Sequence, residues 1–170
     1  MGDRTNLQVF IYDCPSARVR AVLDIIDEYQ LQLDWLGAAD DDRIHLGRVY
    51  GSHSACGEDS RDIASALIAT APEVCFDTWT DPAYDWLGAG TRYTPELGRF
   101  DYESDAEGNA VFSADEIAGA LASGGVDGVR RILGQSWSAV LKAMSDALPP
   151  PSKDHDGGRP VVADPEREED

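Results

Sequence analysis

The chain has 170 residues, 42% of them hydrophobic, which suits one domain with a real core and is too little for two. Its 32 acids against 14 bases leave a formal net charge of −18, a surface that a nucleic-acid backbone repels. No run of about 18 apolar residues exists, and the opening Met-Gly-Asp-Arg-Thr-Asn has no apolar signal core, so a cytoplasmic protein without a membrane partner is expected.

Leu7 to Tyr12 reads as a strand that stops at Asp13-Cys14-Pro15. Ser16 is placed to cap a helix in which Val19, Val22, Leu23, Ile26 and Tyr29 fall on one stripe, ending near Gln30. Leu31 to Leu36 alternates apolar and polar residues as a second strand, and Asp40-Asp41-Asp42 makes a turn. Ile44, Leu46, Val49 and Tyr50 make a third strand, which Gly51-Ser-His-Ser breaks or extends irregularly. A second helix is capped by Ser60, carries Ile63, Ala64, Leu67, Ile68 and Ala71, and ends at Pro72. Val74 to Thr80 is the fourth strand. The order β-α-β-β-α-β predicts an α+β fold of the split βαβ, ferredoxin-like kind, with two helices on one face of an antiparallel sheet.

Asp81 to Thr94 is a loop interrupted by glycines and rich in aromatics, expected to plug the sheet's other face. Arg99 to Glu103 and Ala110 to Ser113 form an added hairpin turned at Asp105 to Asn109. Ser113 and Glu116 have capping-box spacing and open a short helix that Gly124-Gly125 ends. A last helix carries Val129, Ile132, Leu133, Val140, Leu141 and Met144, with Trp137 beside the stripe. The domain thus covers residues 1–148. Residues 149–170, with seven acids against three bases and little apolar content, are expected to be a disordered acidic tail.

Few residues point to chemistry. Asp105, Glu107, Asn109, Ser113 and Glu116 occupy positions 1, 3, 5, 9 and 12 of a calcium loop, which makes residues 105–116 a candidate calcium-binding segment. Ala110 stands where that loop needs glycine, and a strand rather than a helix precedes it, so a turn followed by a capped helix is the simpler reading. His53 and Cys56 have zinc-ligand spacing, but Cys14, Cys56 and Cys75 form no C-x-x-C pair and read as reduced thiols. A Cys14 nucleophile has no base that sequence can assign among His45, His53 and His155. No G-x-S-x-G, P-loop or dinucleotide fingerprint occurs. The expectation is a protein that is not an enzyme and uses neither cofactor nor metal.

Phe76-Asp-Thr-Trp-Thr-Asp-Pro-Ala-Tyr-Asp-Trp-Leu87 and Arg92-Tyr-Thr-Pro-Glu-Leu-Gly-Arg-Phe100 resemble ferredoxin-like accessory proteins encoded on plasmids and phages, over residues 7–113. The resemblance implies the fold and a mobile-element origin, and it transfers no catalytic residue. Small acidic proteins from such elements can present carboxylates in place of phosphates, so the expected partner is a host protein, in its most concrete form a basic DNA-binding protein or nuclease that the chain inhibits as a DNA mimic. The candidate contacts are Asp40, Asp41, Asp42, Asp81, Asp85, Asp101, Glu103, Asp105 and Glu107. The alternative is a protein-interaction or regulatory module acting through the aromatic loop 79–93, with Trp79, Tyr84 and Trp86 as anchors. Twenty-two Asp against ten Glu, and twelve Arg against two Lys, leave a third source for the charge, namely coding bias or adaptation to salt.

Overall fold

The computed structural model describes residues 4–35, 37–38, 42–149 and 160–165. Strand β1 (Thr5–Asp13) alternates as predicted: Leu7, Val9 and Ile11 are buried on one face, and Gln8, Phe10 and Tyr12 turn to the other. After one 3-10 turn (Ser16–Arg18), α1 (Val19–Glu28) lays its stripe of Val19, Val22, Leu23 and Ile26 on the first face. Helix α2 (Asp59–Thr70) adds Ile63, Ala64 and Leu67 to the same core. Each such side chain removed from water stabilises the fold by about 1.5–3 kcal/mol, which makes this face the main source of stability.

The sheet is built outward from β1, which is flanked by β5 (Val49–Ala55) and β6 (Cys75–Thr80). Beyond β5 come β2 (Gln32–Leu33) and β3 (Gly37–Ala38), and beyond β6 come β7 (Gly88–Thr94), β8 (Gly98–Ser104) and β9 (Ala110–Val111). Neighbouring strands pair antiparallel throughout these eight, giving an α+β fold on an antiparallel sheet. Strand β4 (Arg43–His45) lies outside this sheet and pairs instead with β10 (Val161–Ala163).

The second sheet face is covered from further along the chain. Helix α3 (Ala114–Ile132) opens with the predicted capping box, both bonds between Ser113 and Glu116 being present, and hands over at Gly134 to α4 (Gln135–Ala147). A Cβ on Gly134 would sit 2.3 Å from the Phe100 ring, so the helix start can approach the sheet only as glycine. Trp137 stacks on Phe100 at 5.0 Å and donates to the Gly98 carbonyl, fixing α4 across the strands. Among the described residues no helix is long and apolar enough to cross a membrane.

Several expectations are corrected. The second strand covers only Gln32–Leu33, because Asp34 and Trp35 adopt positive φ (49° and 64°) and turn the chain, with Arg48 held on the Asp34 carboxylate. The third strand divides where Gly47 takes φ 66°, and its first part leaves the main sheet as β4, while its second part extends through Gly51-Ser-His-Ser to Ala55 irregularly, as one of the two expected outcomes, its register against β1 shifting between Leu7↔Ser52 and Thr5↔Ala55. Neither Ser16 nor Ser60 caps a helix: Ser60 is buried and donates to the Ala89 carbonyl, and Asp59 takes the Cys56 N–H instead. Gly125 (φ 59°, ψ −151°) leaves the helical region inside α3, so the helical run opened at Ser113 ends at Gly124-Gly125 as expected and a second run follows to Ile132, whereas the single last helix expected from Val129 onward is broken at Gly134. The tail expectation fails at residues 160–165, where Val162 packs on the core and Asp164 is buried, so that segment is ordered by pairing with β4.

Candidate protein-binding tip

The connection between β6 and β7 is a fastened turn rather than a plug for the sheet. Ala83 and Trp86 exchange both backbone hydrogen bonds at 3.0 Å, which closes a two-residue turn over Tyr84 and Asp85. Tyr84 has φ 53°, a left-handed conformation unfavourable to a bulky L-residue. The stem is held from three sides. Asp81 takes the amides of Asn6 (2.8 Å) and Gln8 (3.0 Å) on its two carboxylate oxygens, its N–H donates to the Asn6 carbonyl, and its own carbonyl takes the Thr5 hydroxyl. Ser104 Oγ donates to the Thr80 carbonyl, and Thr80 Oγ1 receives the Ala89 N–H. A Cβ on Gly88 would lie 1.9 Å from the Thr80 carbonyl oxygen, so only glycine lets β7 start this close to β6.

On this base the apolar side chains face solvent: Tyr84 is 87% exposed, Trp86 74% and Leu87 48%. Large aromatics are thus exposed on a turn in a strained conformation that is held by a tight base. Register places acids beside them. Ala89 pairs with Glu103, so that exposed carboxylate stands near the foot of the turn, and Glu107 projects from the β8–β9 turn at the same end of the sheet. Asp85 lies within the turn itself and is exposed.

The other predicted contacts separate into different roles. Trp79 is only 9% exposed, stacks on Phe10 at 5.3 Å and lies under Gly108, so it is a packing ring and not an anchor. Asp81 is committed to Asn6 and Gln8. Asp101 takes the Thr91 hydroxyl at 2.5 Å and the Arg99 Nε at 2.8 Å. Asp42 pairs with Arg43 at 3.4 Å, and Asp40 and Asp41 lie outside the described residues. Asp105 accepts the N–H groups of Glu107 and Asn109 together with the Asn109 amide, and that last bond leads in holding its carboxyl below the usual range. Glu116 is used in the helix cap, so the two ends of the candidate calcium loop serve separate local bonds. Among the described residues no three His, Cys, Asp or Glu side chains converge as a metal site. Cys14 and Cys75 are buried, and burial, with Asp13 adding to it, pushes their thiols up to about 12 and about 11; Cys56 is exposed.

Sequence reading did not single out the cluster beneath α4. Asp77 and Arg92 face each other across β6 and β7 at 3.2 Å and are nearly enclosed. Arg92 also donates to Ser138 Oγ (2.9 Å) and the Gly108 carbonyl (3.2 Å), and its guanidinium lies 4.5 Å from the Tyr102 ring centroid. Tyr102 donates to Asp77 at 2.9 Å. Burial raises the Asp77 carboxyl to about 6 despite Arg92 and Tyr102, and it also raises the Tyr102 hydroxyl. The cluster floors a cavity of about 390 Å³ between the sheet and α4. Strand alternation carried the available signal: Asp77 falls between Phe76 and Thr78, and Arg92 between Thr91 and Tyr93, which puts both on the face away from the main core. Compared with protein-family models, curated proteins and solved structures, the chain finds no match in any of the three.

Proposed function

We propose that the chain is a non-enzymatic binding protein that docks a basic protein surface on the tip formed by Tyr84, Trp86 and Leu87, with Asp85, Glu103 and Glu107 as its acidic rim. The observation that carries this reading is the pair of exposed aromatic rings on a turn whose base is fixed by Asp81, Thr80 and Gly88. A rigid aromatic anchor loses little conformational freedom on binding, and a ring of carboxylates speeds encounter with a cationic partner. The net charge of −18 supports the same partner at long range. In its finer form the partner is a host DNA-binding protein or nuclease whose groove receives the acidic rim as a DNA mimic, with the likeness to plasmid and phage accessory proteins supplying the context. Strand order β2-β5-β1-β6, with α1 and α2 in the crossovers, supports reading the first 80 residues as a ferredoxin-like split βαβ unit extended by β7 to β9.

The test is affinity capture from host lysate with the wild-type chain and with Tyr84→Ala/Trp86→Ala, at low and high salt and with competing DNA. The reading expects a partner retained by the wild type, lost with the double variant, and weakened by salt. Release by DNA supports the mimic form. Equal capture by both proteins refutes the tip as the contact.

A further inference from the structure

Strand β4 has one strand partner among the described residues, β10, and that partner comes from the far end of the chain. The pairing is short and well bracketed. Val161, Val162 and Ala163 face His45, Ile44 and Arg43, the Leu46 N–H donates to the Pro160 carbonyl at 3.1 Å, and the Asp164 N–H donates to the Asp42 carbonyl at 2.7 Å. Ile44 is fully buried in the core formed by β1 and α1, Val162 packs against that core, and Asp164 is buried. The edge therefore reads a pattern: a backbone carbonyl at proline, an apolar residue facing inward two positions on, and an aspartate two positions after that.

We propose that β4 is the acceptor of an exchangeable strand, and that two copies of this chain associate by trading their C-terminal strands. The segment that demonstrably fits the edge is Pro160–Asp164, and every copy carries it. The same contacts form whether the strand arrives from its own chain or from a second one, so exchange sacrifices none of them and the balance is set by the connection and by concentration. Leu148 packs on the core at one end of that connection and Pro160 returns at the other. The ten residues between, Pro150 to Arg159, include no Ile, Leu, Val, Met or aromatic residue, and can span at most about 35 Å. A tether of this length gives the chain's own strand an effective concentration in the mM range, so the exchanged pair forms at about that protein concentration. Each copy has a net charge of −18, so added salt favours the pair, opposite to its effect on a basic partner at the tip.

Arg43 and Ala163 stand directly opposite one another on the outward side of the pair, where two cysteines can bridge. The experiment uses full-length chains that all carry Cys56→Ser. One copy has Arg43→Cys, a second has Ala163→Cys, and a third has both. The doubly substituted chain, oxidised at low μM, is expected to close within itself and run as a monomer on a non-reducing gel. The two singly substituted copies, mixed at about 1 mM before oxidation, are expected to give a band of twice the monomer mass, more of it at 0.5 M salt and none when Val162→Asp is added to the second copy. Internal closure of the third chain with no band from the mixture overturns exchange, and failure of both overturns the β4–β10 register on which it stands.

Discussion

Arg92→Met tests whether the cluster under α4 joins the second sheet face to its cover. The substitution keeps an apolar stem but leaves the Asp77 carboxylate, itself only 11% exposed, with Tyr102 as its remaining side-chain donor. Breaking one partner out of a buried ion pair costs about 3–5 kcal/mol, and the lost bonds to Ser138 and Gly108 add about 1 kcal/mol each. A loss of about 5–7 kcal/mol is expected at pH 7, read as a fall in the urea midpoint at unchanged m-value. Adding Asp77→Asn removes the stranded charge, so the double variant is expected to recover about 2 kcal/mol relative to Arg92→Met alone. Equal destabilisation of the single and double variants would refute the view that the ion pair, rather than the volume of Arg92, is what the cluster supplies.

The same cluster has a pH signature. The folded Asp77 carboxyl lies at about 6, above its ordinary value near 3.8, because burial penalises the charge more than Arg92 and Tyr102 favour it. A carboxyl raised in the fold holds its proton more tightly folded than unfolded. Its contribution is complete below about pH 4 and is lost as pH rises through 6. Two units of displacement correspond to about 3 kcal/mol. The difference in stability between wild type and Asp77→Asn is therefore expected to move in favour of Asn between pH 4.5 and 7.5. A flat difference over that range would refute the assignment.

Gly88→Ala brings a Cβ to 1.9 Å from the Thr80 carbonyl oxygen and is expected to cost about 2–3 kcal/mol in thermal or urea unfolding, whereas Gly57→Ala, with nothing within 4 Å, is expected to change stability by under about 0.5 kcal/mol. Tyr84→Asn relieves the φ of 53° and is expected to raise stability by about 0.5 kcal/mol while abolishing capture of the partner; a stability loss would show that the ring packs on the body. Cys56 is expected to react with a thiol reagent at pH 8 at least tenfold faster than Cys14 and Cys75, whose thiols burial holds protonated, and equal rates for all three would contradict that burial.

Much of the main core was legible because its alternation and its helical stripes agree: Leu7, Val9 and Ile11 on one strand face, then Val19, Val22, Leu23 and Ile26 on one helix face, all enter it. The Ser113–Glu116 box was legible because both of its bonds are local. What failed was set by distant partners or by single backbone angles. The Leu31–Leu36 alternation gives no sign that Asp34 and Trp35 take positive φ, since Asp34 is held by Arg48, fourteen residues away. Ile44 to Tyr50 gives no sign that β4 leaves the sheet, because its partner begins at residue 161.

The acids show why a net charge does not locate a site. Asp81, Asp101 and Asp105 read in sequence as loop or surface carboxylates like Asp85, Glu103 and Glu107, yet the first three are each taken up by bonds the fold supplies. Asp101 is committed because Thr91 lies opposite it in the β7–β8 register and Arg99 two residues before it on the same face, whereas Glu103, two residues further along that face, lies opposite Ala89, which has no polar side chain to engage it. The carboxylates left for a partner are those whose cross-strand or turn neighbours offer no donor. At the end of the sheet where Tyr84 and Trp86 stand, Asp85, Glu103 and Glu107 are of that kind, and this coincidence of open charge with exposed aromatic surface gives the tip a stronger claim than either feature alone.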